Sequence, residues 1–187
     1  IIIGGGIGGA LAHDLSLRGF SVSLVERGEL LSGTTGRHHG LLHSGARYVL
    51  HDTDTARECW IENRILKRIA PDSLEKNGGL FIALDESDMN FRQRFLDGCD
   101  QAGIPAKNIE TQAALDMEPG LRPDLKAAVM VPDAAMDAWR LPLQFFATAR
   151  ANGADIRTFS EVVDITTRGK TATGVKIRDH RTGRTYR

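Results

Sequence analysis

The chain opens on an apolar run, Ile1–Ile3, that stops at once at Gly4-Gly5-Gly6. A short continuous run bounded by glycine suits a strand buried on both faces of a parallel sheet. Leu11, Leu15 and Leu17 then supply apolar positions that predict a helix over 7–18, with Gly19 at its stop. Residues 21–25 mix small and β-branched side chains and end on Glu26, which predicts a second strand. Strand, glycine turn, helix and strand are complete within the first 26 residues. Residues 27–48 follow neither period and carry five glycines and three histidines. Connections of that length tend to be functional or disordered.

Helical spacing returns with Ala56, Trp60, Ile61, Ile65, Leu66 and Ile69, predicting a helix over 53–69 ahead of Pro71. Asn77-Gly78-Gly79 predicts a turn into a strand over 80–84. Phe91, Phe95, Cys99 and Ala102 form a stripe read as core, on a helix closed by Gly103. A short helix is expected over 112–117 and a strand over 127–131. Asp137 is placed to cap a helix running to about residue 152, and β-branched stretches at 155–159, 161–166 and 173–178 follow. The order of elements predicts an α/β fold. Residues 1–73 and 137–187 are expected to form a Rossmann-like nucleotide-binding domain with an added β-layer. Residues 74–136 are expected to be an excursion into a substrate-binding cap domain.

Charge narrows the partners. Lys and Arg number 24 against 24 Asp and Glu, with a pI near 7.2. Neither a nucleic-acid arm nor a basic membrane patch is expected, since both need an excess of cations. Two cysteines, Cys59 and Cys99, make no disulfide framework and point to a reducing compartment. Both read as buried, inert thiols. No run approaches the about 18 apolar residues of a membrane span. Both ends fall within strand-like stretches, so the chain is expected to be part of a longer protein.

The chemistry lies in the turn Gly4-x-Gly6-x-x-Gly9, set between strand and helix. The first glycine permits the sharp turn, the second lets the backbone approach a pyrophosphate, and the third allows close helix packing. Phosphates would rest on free amides at the positive helix end. Glu26 is placed to accept from a ribose diol, and its charge disfavours a 2′-phosphate. Strand, three glycines, helix and terminal acid in register favour a ligand carrying an adenosine diphosphate over a tight corner without one. The motif itself leaves FAD and NAD both open. His38, His39, His43 and His51 have no cysteine near them in sequence, and no metal site is expected. Arg47 is either an anion-binding fork or a surface ion-pair arginine. His43 is either an acid/base or a donor that holds its loop.

Residues 4–71 resemble the FAD-dependent glycerol-3-phosphate dehydrogenases of the D-amino-acid-oxidase-like superfamily, and most of all the large catalytic subunit of the anaerobic type. The resemblance is carried by Gly4-Gly5-Gly6, by Leu24-Val25-Glu26-Arg27 and above all by the run from Gly36-Arg37-His38-His39-Gly40 to Arg47-Tyr48. Ala56-Arg57-Glu58-Cys59, Glu62-Asn63 and the stretch Ile65 to Pro71 extend it, with weaker echoes at 77–82, Glu118-Pro119, Val131-Pro132-Asp133, Asp137 and Arg140-Leu141.

The resemblance implies FAD as cofactor, held by Gly4, Gly5, Gly6, Ile7, Gly9, Glu26, Arg27, Thr34, Thr35, Arg37, His38, Gly40, Leu41 and Leu42, with Val162 and Val163 near the adenine. It implies Arg47 as the binder of a substrate phosphate, with Tyr48 beside it, and His43 as the candidate catalytic residue. His38 stands where the family has asparagine; both donate and accept hydrogen bonds, so FAD binding is expected to survive. The implied activity is oxidation of sn-glycerol 3-phosphate to dihydroxyacetone phosphate by hydride transfer to FAD, with electrons passed through partner subunits to a membrane quinone. The implied place is the cytoplasm, at the inner face of the membrane through those partners. The family adds a further FAD-contacting strand later in its chain, so this stretch alone is expected to hold FAD weakly. The alternatives are a related flavin oxidoreductase acting on a 2-hydroxy acid or amino acid, and a non-catalytic nucleotide-binding module.

Overall fold

A computed structural model describes residues 1–187. The chain begins with β1 (Ile2–Ile3), α1 (Ile7–Leu17) and β2 (Ser23–Val25). It continues through β3 (Leu41–Leu42), α2 (Thr53–Ile69), β4 (Leu74–Glu75), β5 (Gly79–Ala83), α3 (Glu86–Ala102), β6 (Lys107–Ile109), α4 (Thr111–Met117), β7 (Ala127–Val131) and β8 (Ala134–Met136). It closes with α5 (Arg140–Ala151), β9 (Asp155–Arg157), β10 (Ser160–Arg168), β11 (Thr171–Asp179) and β12 (Thr185–Tyr186). No helix is long and apolar enough to cross a membrane. The structure divides into two compact units, one of Ile1–His39 with Asp137–Arg187 and one of Gly40–Met136. The first break therefore precedes the expected one at residue 73. The reason is pairing: β3 and β4 both hydrogen-bond to β8, which draws residues 40–73 into the second unit.

In the first unit, β1, β2 and β9 run parallel in that order, with Ile2 opposite Leu24 and Leu24 opposite Ile156. The core between sheet and helices joins Ala12, Leu24, Phe146, Ala149 and Ile156. The helix over 7–18 forms, yet of its three leucines only Leu15 packs on that core, at its edge. Gly9, Ala12 and Ser16 are buried, whereas Leu11 and Leu17 are 45% and 56% exposed. Close approach selects the small residues. A Cβ on Gly9 would stand 2.7 Å from the Phe146 ring of α5, so the third glycine of the motif serves helix–helix contact. β10, β11 and β12 form an antiparallel sheet whose Val175 and Ile177 pack with Val25 of β2, the expected added layer.

In the second unit, β5, β7 and β6 form an antiparallel sheet with apolar side chains on both faces. Phe81, Val129 and Val131 join Phe95 and Cys99 on one side, while Leu80, Ile82 and Ala128 join Ala114 and Leu125 on the other. This alternation is the period of two expected of a strand. α2 spans the expected residues because Asp52 caps it, accepting from Thr55 N–H at 2.9 Å. α3 begins a turn earlier than the aromatic stripe indicated, because Asp85 Oδ1 accepts from Asp88 N–H and starts the helix at Glu86. Phe95 is core as expected; Phe91 is not, at 47% exposed. β4, β6 and β8, two or three residues each, show no sequence period and exist through pairing.

Two outcomes follow for the full-length protein. Gly9→Ala gains up to about 1 kcal/mol of helix propensity but forces Phe146 aside, so a net loss of about 1–2 kcal/mol is expected in thermal or urea unfolding. Burial pushes the Cys99 thiol up to about 11 from 9.0. The unfolded chain then releases this proton first. Stability from the neutral thiol is complete below pH 9 and falls by about 2–3 kcal/mol as pH rises from 9 to 11. Denaturation curves at about pH 8 and about pH 10.5 should show this loss in the natural protein and not in Cys99→Ala.

Candidate functional site

In the first unit the end of β2 and the glycine turn face each other across a cleft of about 680 Å³. Glu26 organises it. Its backbone N–H donates to Arg157 O at 2.8 Å and its carbonyl accepts from Ser160 N–H at 2.8 Å, fixing the strand end. Its carboxylate is held from two sides, Oε2 accepting from Gly5 N–H at 2.7 Å and Oε1 from Gly28 N–H at 2.9 Å. α1 starts at Gly6 with no side-chain cap and no acid in its first turn. Gly9 N–H closes a tight turn onto Gly6 O at 3.2 Å, whereas the Ile7 and Gly8 amides at the positive end of the helix have no intrahelical acceptor.

The cleft gathers Gly4, Gly5, Gly6, Glu26, Arg27, Thr34, Thr35, Arg37 and Val162 from the expected set. Open amides and two guanidiniums supply donors for a diphosphate, and a pinned carboxylate offers lone pairs to a sugar diol. The donor set fits the adenosine diphosphate part of a dinucleotide. Four expected contacts lie outside the lining. Ile7 is 90% exposed, Gly9 meets Phe146, His38 follows the turn at 34–37, and Val163 is 38% exposed.

The remaining expected residues, Gly40, Leu41, Leu42, His43, Arg47 and Tyr48, belong to the second unit. Leu41, His43 and Arg47 line a cleft of about 440 Å³ together with Gly79, Leu80, Phe81 and Asp133; Gly40, Leu42 and Tyr48 do not. The His43 and Tyr48 rings meet edge-on at 5.7 Å, and the exposed Arg47 guanidinium lies 5.6 Å from the Tyr48 ring. Gly45 makes the bend between His43 and Arg47, with φ of +93°. A side chain there would collide with Ala56 O of α2 at 2.3 Å.

Three residues with no role read from sequence hold this loop. Asp133 Oδ1 accepts from the buried Ser44 N–H at 2.6 Å, and Asn63 Nδ2 donates to Leu42 O at 3.1 Å. Lys67 Nζ donates to Pro132 O at 2.6 Å, fixing the bend that presents Asp133. Burial pushes the Lys67 ammonium below its usual range, against the pull of Asp133. Asn63 and Asp133 lie within Glu62-Asn63 and Val131-Pro132-Asp133, so the signal was present without its partners. Burial raises the Cys59 thiol as well. No group of three or more His, Cys, Asp or Glu side chains gathers where a metal ion could be held.

Known proteins are similar to this chain in sequence and in fold. The sequence pattern described as FAD dependent oxidoreductase matches residues 1–187. One subunit of the anaerobic glycerol-3-phosphate dehydrogenase of Escherichia coli K12 is 49% identical over 99% of this chain and 34% of its own length. The chain thus spans about a third of the curated relatives it matches. Crystalline L-proline dehydrogenase from P. horikoshii superposes with a TM-score of 0.82 at 27% identity, over 94% of this chain and 48% of its own. The FAD-bound L-α-glycerophosphate oxidase of Mycoplasma pneumoniae shares the fold, with a TM-score of 0.76 at 23% identity over 89% of this chain and 46% of its own. A glycine turn with open amides, a pinned carboxylate at the strand end and a match over the whole sequence agree: the chain belongs to the family of FAD-dependent oxidoreductases.

Proposed function

We propose that the protein to which this chain contributes oxidises sn-glycerol 3-phosphate to dihydroxyacetone phosphate. The observation that carries the reading is Arg47, an exposed guanidinium in one cleft with His43, on a loop that Asp133 and Asn63 hold rigid. The similarity to the E. coli dehydrogenase supports the choice of substrate. Arg47 is permanently charged and forked, the geometry that suits a phosphate. Holding the phosphate fixes where the C2 hydroxyl falls. His43, which lines the same cleft as Arg47, takes the hydroxyl proton in this reading. Glu26 and the open amides of α1 hold the adenosine diphosphate part of the cofactor, with Thr34, Thr35 and Arg37 lining the same cleft. Bound FAD supplies the acceptor for the hydride that leaves C2.

The E. coli relative is one subunit of a larger enzyme by its name. By the same reading this protein works with further subunits, which carry electrons on to a membrane quinone and keep it at the inner face of the membrane.

Purified full-length protein should be yellow and should bleach anaerobically with glycerol 3-phosphate, but not with glycerol, lactate or proline. Bleaching by an amino acid or by lactate instead would replace the substrate assignment. Arg47→Ala should raise KM for glycerol 3-phosphate about 10- to 100-fold, the scale of a charge-assisted hydrogen bond; an unchanged KM removes the phosphate role. Asp133→Ala leaves the buried Ser44 N–H without an acceptor, at a cost of about 1–3 kcal/mol. It should lower the melting temperature and raise the same KM. Asp133→Asn keeps an acceptor oxygen and should restore most of both.

A further inference from the structure

We propose that the second unit carries another small-molecule site, one for a carboxylate with a short alkyl tail, in a cavity that shares Arg47 with the candidate substrate cleft. The cavity holds about 260 Å³, just below the about 300–1,000 Å³ usual for small-molecule sites. Its floor is apolar, built from Phe81, Phe91, Phe95 and Val129, with the Phe81 and Phe95 rings 4.6 Å apart. Its rim carries two guanidiniums, Arg47 and Arg92, beside the His51 imidazole. Neither arginine has a carboxylate at ion-pairing distance. The one acid in the wall, Asp88, is engaged with the backbone, its Oδ2 accepting from Leu84 N–H at 2.8 Å.

Helical spacing assigned Phe91 to the core, yet it is nearly half exposed and lines this cavity. An apolar floor beneath two unpaired guanidiniums discriminates between ligands. A bare phosphate leaves the floor wet, and a neutral apolar molecule leaves the forks unused. A carboxylate with a tail satisfies both, the head bidentate on a guanidinium and the chain displacing water from the phenyl rings. Arg47 lines both cavities, so an occupant here withdraws it from a substrate phosphate. That coupling rests on the substrate reading above; the binding itself does not.

The test is calorimetric titration of the full-length flavoprotein with octanoate below its micellar concentration. Octanol serves as the probe without a charged head and inorganic phosphate as the probe without a tail. Octanoate should bind saturably and at least about tenfold more tightly than either. Arg92→Ala and Phe91→Ser should each weaken it about tenfold, the Arg92 loss being that of one charge-assisted contact, with the flavin spectrum unchanged. Octanoate should also raise KM for glycerol 3-phosphate without lowering kcat. Absence of saturable heat overturns the site, including the case in which the rest of the protein covers the cavity. Equal binding of octanol or phosphate overturns it, as does unaltered affinity in both variants. Binding that leaves KM untouched overturns the sharing of Arg47. Failure of the substrate reading shows separately, as a flavin that glycerol 3-phosphate does not bleach in the absence of octanoate.

Discussion

The first unit depends on one carboxylate held by two amides. Glu26 ends a strand whose backbone is bonded on both sides, and its side chain ties Gly5 to Gly28. These bonds fix the distance between the strand end and the glycine turn, and so the width of the cleft. They also commit both carboxylate oxygens to Gly5 and Gly28, leaving the Ile7 and Gly8 amides of α1 without a side-chain acceptor. An acid at that helix end would neutralise the field that attracts a diphosphate. One residue thus sets the position of its own carboxylate and of the glycine turn together.

The second unit solves a related problem with distant partners. Its loop from His43 to Arg47 carries the candidate chemistry, and loops are mobile unless their backbone groups are satisfied. Asp133 and Asn63 provide this through Ser44 N–H and Leu42 O, and Gly45 fits against α2. A mobile Arg47 would lose side-chain entropy on every binding event, whereas a loop already ordered loses less.

Legibility in the sequence followed the range of the forces involved. α2 was readable over its full length because its cap and its apolar spacing are both local, and β7 because five apolar residues run together. The existence of α1 was readable, but its buried face was not. Leucines mark the core only where there is room for them; Gly9, Ala12 and Ser16 are the fully buried positions, with Leu15 packed at the edge of that core. The cleft around Glu26 was legible because most of its lining lies within 37 residues of the start, Ser160, Glu161 and Val162 aside. Asp133, Asn63 and Lys67 were not, since their meaning lies in partners 89, 21 and 65 positions away. The division of the units was misplaced for the same reason, as β3 finds its partner in β8.

The bond from Asp133 to Ser44 also orders events during biosynthesis. Contacts between remote positions form late, because the intervening chain must first be closed into a loop. A ribosome emits about 5–20 residues per second, so the segment bearing Arg47 waits several seconds for its clamp to emerge. Until then the Ser44 N–H lacks its acceptor, and only the contacts with α2 hold the segment. A nascent chain stalled before residue 133 would present this segment to proteases and chaperones, and mutations that slow translation between α2 and β8 would prolong that exposure without altering one contact of the finished fold.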